Sequence, residues 1–397
     1  MPQFAKSLEG ITGSAIRDLF KLLCAGDVTS FGGGNPSASS FPVSQIKNIL
    51  DELIEEKGPE LLQYAATEGY APLRAAVSEH MLKPRGVFAP DSCILPTTGS
   101  SQAIDLICRA YIDPGDAVLV ESPTFLGALQ TIRISGAKLV SVPGDAEGVL
   151  PDELERLMAL HRPKLFYCIP TFQNPSGRTL GLARRKRIAE LAQAYDVLVV
   201  EDDPYYALRY RGEEVAPIKS FDADDHVMLL NSFSKTMSPG MRVGVAVGPA
   251  DALRKMVILK QGCDAITPPL MQAVAAEFLA RGLMPAQLAR IRPEYARRLD
   301  AMLDAIDAHF PAACVRTKPE GGLFVWIECP GLDTLALLPR ATCEAKVAYI
   351  PGVHFYAEAD APRHTLRLNF SGCPIEDIPA GLERLGNLMK DELARGS

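Results

Sequence analysis

Val227-Met228-Leu229-Leu230-Asn231-Ser232-Phe233-Ser234-Lys235-Thr236-Met237-Ser238-Pro239-Gly240-Met241-Arg242-Val243-Gly244-Val245-Ala246-Val247 is two apolar runs joined by a polar loop. The runs are continuous rather than alternating, which marks strands covered on both faces. Runs of the same kind lie upstream at Ala117–Val120, Leu139–Val142, Leu165–Ile169 and Val197–Val200. Helix-like stretches such as Ser101–Ala110 and Arg184–Tyr195 separate many of them. The alternation predicts an α/β fold with a mostly parallel sheet flanked by helices.

The tail has a different character. Residues 270–308 are rich in Ala, Leu, Arg and Met and predict helices. Phe324–Ile327, the stretch around Ala348–Ile350, and Thr365–Phe370 read as short strands of a smaller α+β domain. The first ~45 residues hold too little apolar material to stand alone and are expected to pack on that domain. The expected division is therefore a large domain of residues 46–290 and a small one of residues 1–45 with 291–397.

Composition narrows the function classes. The 397 residues are 47% hydrophobic and 22% charged, which excludes a disordered or fibrous chain. Lys plus Arg total 41 against 48 Asp plus Glu, a net charge of −7 with no basic block, so no nucleic-acid partner is expected. Nine cysteines without a C-x-x-C spacing read as reduced thiols, and six histidines without ligand spacing predict no metal site. No apolar run approaches the ~18 residues of a membrane span. Lys6, Glu9, Arg17 and Asp18 leave no apolar core for a secretory leader, so a cytoplasmic protein is expected.

In an open α/β sheet, ligands bind beyond the carboxyl ends of the strands. The polar segments there are Glu121-Ser122-Pro123, Thr171 to Gly177, Glu201-Asp202-Asp203-Pro204-Tyr205, and Asn231 to Lys235. Lys235 follows a buried strand, sits among hydroxyls and precedes Arg242 by seven residues. Most lysines are surface groups. A phosphate-binding P-loop needs glycine directly before the lysine, where Ser234 stands. The sharper alternative is a Schiff-base lysine. Its amine would attack a cofactor aldehyde while Ser232, Ser234 and Arg242 hold a phosphate dianion.

The stretch resembles the S-x-x-K-x-x-x-P-G-x-R-x-G signature of fold-type-I pyridoxal-phosphate (PLP) aminotransferases of class I/II. Three further segments carry the resemblance: Thr98-Gly99-Ser100-Ser101-Gln102-Ala103-Ile104, Asn174-Pro175-Ser176-Gly177 and Glu201-Asp202-Asp203-Pro204-Tyr205. Asp202 follows Asn174 by 28 residues, Tyr205 follows Asp202 by 3, and Lys235 follows Tyr205 by 30. The likeness runs from Ser14 to Phe370 and is nearest to the 2-aminoadipate and kynurenine aminotransferase branch. Met241 and Asp18 are mild departures, at positions where Leu and Glu are usual.

The resemblance implies fold type I, with a seven-stranded, mostly parallel sheet in the large domain, PLP as cofactor and a homodimer with shared active sites. It implies that Lys235 binds PLP covalently and shuttles a proton between Cα and the cofactor. Asp202 would face the pyridine nitrogen, and Tyr205 and Asn174 the 3-oxygen. Ser100, Ser101, Gln102, Ser232, Ser234 and Arg242 would bind the phosphate, joined by Tyr64 of the neighbouring subunit. Phe125 would stack on the ring. For substrate, Arg367 would hold the α-carboxylate, beside Asn174 and the loop of Gly33 and Gly34, while Arg17 would meet a distal carboxylate. An arginine flanked by leucines, as Arg367 is, needs such a partner to be buried.

The implied reaction moves the amino group of glutamate or 2-aminoadipate, with aromatic or branched donors as further substrates, to a 2-oxo acid such as 2-oxoglutarate in a ping-pong cycle. Two alternatives stand beside it. One is another PLP reaction on this fold, a C–S lyase or decarboxylase. The other is a MocR-type regulator, which carries a basic winged-helix domain ahead of this region; the motif starting by Ser14 and the acidic chain argue against it.

Overall fold

The computed structural model describes residues 4, 5, 8 and 28–396. Arg17, and the motif around Ser14, lie outside the described residues. The seven strands of the main sheet are β1 (Ile94–Thr97), β2 (Ala117–Glu121), β3 (Lys138–Val142), β4 (Leu165–Cys168), β5 (Leu198–Asp202), β6 (Val227–Ser232) and β7 (Gly244–Val247). Their spatial order is β1-β7-β6-β5-β4-β2-β3. The pairs β2–β3, β2–β4, β4–β5 and β5–β6 are parallel, and β7 runs antiparallel to both β1 and β6.

The apolar runs are continuous because both faces are buried. Val118, Val120, Leu165, Tyr167 and Val200 pack into one hydrophobic cluster, while Leu119, Phe166, Cys168 and Val199 alternate into another. Each neighbouring side chain on a strand points to the opposite face, so a strand with two buried faces has no polar positions to spare. β1 departs from the expected pattern. Ile94-Leu95-Pro96-Thr97 is not among the runs predicted from sequence, and its proline removes a ladder donor. The strand forms at the sheet edge, where that loss is tolerated.

The helices covering this sheet include α1 (Val43–Leu61), α2 (Ser100–Tyr111), α3 (Leu126–Ile134), α4 (Leu182–Tyr195) and α5 (Ala250–Gln261). A 27-residue helix, α6 (Leu283–His309), leads to the second sheet. That sheet is antiparallel, with β8 (Val315–Arg316), β9 (Phe324–Glu328), β10 (Ile350–Pro351) and β11 (Thr365–Asn369) in the order β8-β9-β11-β10. The last helix, α7 (Asp377–Gly396), packs on α6. Thr29–Ser30 pairs in parallel with Val347–Ala348, and Asn369 N–H donates to the Phe31 carbonyl. The glycine loop that follows Phe31 is thereby laid against β11. No helix among the described residues is long and apolar enough to cross a membrane.

Candidate active site

The carboxyl ends of β1, β2, β4, β5 and β6 share one edge of the sheet. Because β7 runs the other way, its amino-terminal end comes to that same edge, and Arg242 with it. A cavity of about 280 Å³ opens there. Its walls include Ser100, Ser101, Phe125, Asn174, Asp202, Tyr205, Ser232, Ser234, Lys235, Arg242 and Arg367, together with Gly34, Asn35 and Ile169. Segments more than 260 residues apart in the chain thus meet around one space.

Asp202 ends β5. Its neighbours Glu201 and Asp203 point to the opposite face, as strand alternation requires. There Glu201 accepts from the backbone N–H groups of Ile218 and Lys219 at 2.8 and 2.9 Å, and Asp203 forms a buried ion pair with Arg85. Only Asp202 of the three lines the cavity. Its Oδ2 accepts from the Tyr167 hydroxyl at 2.8 Å, while its Oδ1 is buried with no hydrogen-bond partner. Burial pushes the carboxyl up to about 7, and the Tyr167 bond works against that rise.

Lys235 lies beyond β6, with Nζ donating to the Gly34 carbonyl at 2.8 Å. Burial, and then repulsion from Arg367 and Arg242, lower this amine from 10.5 to about 8. A neutral amine near physiological pH is a nucleophile and a proton acceptor. The Tyr205 phenol meets Phe324 edge-on, with ring centroids 5.7 Å apart, and burial raises its pKa.

Serines and an arginine form the other end of the cavity. Ser232 Oγ donates to Ser234 Oγ at 2.9 Å. Arg242 adopts the left-handed conformation at φ 54°, and its Nη2 donates to the Thr98 carbonyl at 2.9 Å. Gly99, at φ 85°, precedes α2; a Cβ there would stand 2.6 Å from Arg242 Nη2. Glycine is therefore required twice at this position, by the backbone angle and by the guanidinium. The first N–H groups of α2 are free of helical partners, so serines, helix terminus and guanidinium together suit a phosphate.

Arg367 sits in β11 with no exposure to solvent. Its Nη1 donates to Asn174 Oδ1 at 2.9 Å, and its Nη2 to the carbonyls of Gly32 and Gly33 at 2.8 and 3.0 Å. Nε has no partner. The guanidinium carbon lies 4.3 Å from the Phe324 ring centroid and 5.0 Å from that of Phe355. The rings replace water on its faces, and burial still lowers its pKa to about 10.

Three expected residues lie off the cavity wall. Gln102 is a correction: its amide is committed behind α2, where Oε1 accepts from Thr98 N–H and from Lys260 at 2.8 Å each. Those two donors, one backbone and one a buried ammonium, need an acceptor more than the open cavity does. Gly33 faces the site through its carbonyl on Arg367 only. Tyr64 stands 85% exposed on the surface of this chain.

Sequence reading gave no site role to Tyr167, Thr98, Phe324 or Phe355. Tyr167 looks like any core residue of an apolar strand, and nothing in its neighbourhood signals a hydrogen bond to a residue 35 positions away.

Among known proteins, the family model for aminotransferase class I and II matches residues 26–385. The aromatic-amino-acid aminotransferase 1 of Thermococcus litoralis is 41% identical over 99% of this chain and 95% of its own length. The 2-aminoadipate transaminase of Thermus thermophilus is 41% identical, covering 98% of this chain and 97% of its own. The kynurenine aminotransferase of Pyrococcus horikoshii, solved with PMP, superposes with a TM-score of 0.94 at 39% identity, covering 98% of this chain and 97% of that one. With its fold, its cavity and near full-length relatives in agreement, the chain belongs to the class I and II aminotransferases and is a PLP-dependent enzyme.

Proposed function

We propose that this aminotransferase takes the α-amino group of 2-aminoadipate or glutamate, and of aromatic or branched amino acids, and passes it to 2-oxoglutarate by a ping-pong mechanism. The observation that carries this reading is the convergence of Asp202, Lys235 and Arg367 on one cavity, each with a buried polar atom turned to its space or to its rim. The fit to PLP is chemical. Asp202 Oδ1 lacks a partner, as a carboxylate awaiting a ring N–H would. The serine–arginine end offers hydroxyl, backbone N–H and guanidinium donors, as a phosphate needs.

Bound PLP supplies an aldehyde carbon that captures amines and a ring that withdraws electrons from the substrate Cα. Lys235 provides the amine that holds it between turnovers and then moves the proton from Cα to C4′. Asp202, steadied by Tyr167, keeps a proton on the ring nitrogen through charge pairing. Asn174 accepts from Arg367 on its oxygen, which leaves its amide N–H groups to donate, beside the Tyr205 hydroxyl, to the 3-oxygen. Phe125 stacks on the ring. Ser100, Ser101, Ser232, Ser234 and Arg242 bind the phosphate. Arg367 turns its planar fork, with Nε still free, to the substrate carboxylate next to Asn174 and the Gly33–Gly34 loop.

The same reading makes the enzyme a homodimer in which the partner subunit's Tyr64 reaches the phosphate; the exposure of Tyr64 and of neighbouring Leu62 supports it. Arg17 meets the distal carboxylate of dicarboxylic substrates. Residues 46–290, and 1–45 with 291–397, are the two proposed units. Each holds one of the two large sheets, and each border falls inside a helix, α1 or α6. A reducing, cytoplasmic setting belongs to the reading as well, supported by the free thiols of the eight described cysteines.

A donor screen with 2-oxoglutarate as fixed acceptor tests the reaction. The expected ranking places 2-aminoadipate first in kcat/KM, with kynurenine, phenylalanine and leucine measurable. Release of ammonia and pyruvate without glutamate formation would replace the transaminase with a lyase.

Lys235 also sets a pH dependence. The neutral amine attacks, so the rate of PLP capture by apo-enzyme rises with pH and levels off above about 8. Below that it falls about tenfold per pH unit. Stopped-flow absorbance measures it; a midpoint near 10.5, the ordinary lysine value, would show that the cavity does not depress the amine.

A further inference from the structure

Thr98, the residue before the glycine that opens α2, is held at all of its polar groups. Its carbonyl accepts from Arg242 at 2.9 Å, and its N–H donates to Gln102 Oε1 at 2.8 Å. Its hydroxyl donates to Asp264 Oδ2 at 2.7 Å and lies 3.1 Å from the Thr267 hydroxyl. Gln102, Asp264 and Thr267 are in turn gathered by one group. Lys260, from the last turn of α5, extends Nζ to Gln102 Oε1 at 2.8 Å, to both oxygens of Asp264 at 2.9 and 3.0 Å, and to Thr267 Oγ1 at 3.0 Å. Gln102 Nε2 closes the ring on Asp264 Oδ2 at 2.7 Å.

Lys260 has no exposure to solvent. Burying an ammonium is costly even when it is paired, and an apolar replacement often serves folding as well or better. Folding alone is therefore a weak reason for a lysine here. The geometry supplies another. Every acceptor that Lys260 gathers either bonds Thr98 or, as Gln102, also forms part of the first turn of α2. Thr98 then carries the position of the Arg242 guanidinium.

We infer that Lys260 is a positioning residue for the cofactor phosphate: it clasps Gln102, Asp264 and Thr267, these fix Thr98, and Thr98 fixes Arg242 and the start of α2. This rests on the phosphate site proposed above. Without Lys260, Thr98 and Gln102 lose the group that orders their partners. The Asp264 carboxylate is also left without its cation, beside a site meant for a dianion. Both effects act on the phosphate end, whereas the ring contacts come from β5 and the residues after it, from the loop after β4 and from Phe125 ahead of α3.

The test uses the apo-enzyme, titrated with PLP and separately with pyridoxal, which lacks the phosphate, and followed by visible absorbance. In Lys260→Met the Kd for PLP is expected to rise about tenfold while that for pyridoxal stays within twofold. The double variant Lys260→Met with Asp264→Asn removes the carboxylate that the single change leaves without its cation. It is expected to show the same selective loss, at least fivefold. Equal loss for both ligands, or no loss for either, in whichever variant folds, would overturn the clasp. A parent protein that binds PLP without covalent attachment at Lys235 would instead overturn the cofactor-site reading itself, which separates the two failures.

Discussion

Lys235→Ala is expected to lower the transamination rate by at least about 10⁴-fold, because one amine both holds the cofactor and moves the proton. The protein should still take up PLP through the serine–arginine end of the cavity. Borohydride treatment followed by peptide mass analysis should then find the pyridoxyl label on the Lys235 peptide of the parent and nowhere in the variant. The fold should survive the change. In the apo-protein, burial and then repulsion from Arg367 and Arg242 already lower the pKa of this amine, so its removal takes away a costly buried charge. A melting temperature at or slightly above that of the parent is the expected control. Turnover within tenfold of the parent would defeat the assignment of Lys235.

The second large effect is at Arg367. Arg367→Met is expected to reduce kcat/KM for amino donors by two to three orders of magnitude, mostly through KM. Two charge-assisted hydrogen bonds to a carboxylate are worth about 3–4 kcal/mol. PLP uptake should change far less than donor binding, since Arg367 bonds only Asn174 among the proposed cofactor ligands and none of the phosphate-binding groups. Arg367→Lys keeps the charge but not the planar fork, and should recover only part of the loss. Some stability is lost as well. The carbonyls of Gly32 and Gly33 and the Asn174 oxygen, which the guanidinium now satisfies, are left without donors at about 1–3 kcal/mol. Kinetics at a temperature well below the melting point separate the two effects, and a kcat/KM within fivefold of the parent would remove Arg367 from substrate binding.

Much of the site was legible because its parts are local. Asn174-Pro175, Asp202 with Tyr205, and Ser232 to Arg242 each form a short segment just past a strand, and the strands themselves are apolar runs that sequence displays plainly. What stayed hidden needed partners far away in the chain. Tyr167 matters because β4 lies beside β5, so that its hydroxyl meets Asp202. Phe324 and Phe355 matter because the Arg367 guanidinium packs against both rings. Gln102 was expected on the phosphate; its amide goes instead to Lys260, 158 residues on, and no local pattern announces that pairing. β1 escaped notice because Pro96 argues against a strand everywhere except at an edge, and edges are a property of the sheet.

The order of apolar runs and the chemistry-bearing loops between them are properties of the chain alone. They settle the α/β class and point to the loops that gather at the cavity, since a strand buried on both faces and a loop at its end leave direct marks in composition; the resemblance to class I/II aminotransferases names the individual groups. The tertiary structure decided the direction of β7, which carries Arg242 to the edge where the other loops gather. It shows Asp202, the acid that the resemblance selects, on the cavity wall, and gives the reason: the pleat turns Glu201 and Asp203 away. It also decided which polar atoms are already spent and which are left for a ligand. Hydrogen bonds and burial depend on distances in space, and distance in space is what a linear order of residues does not contain.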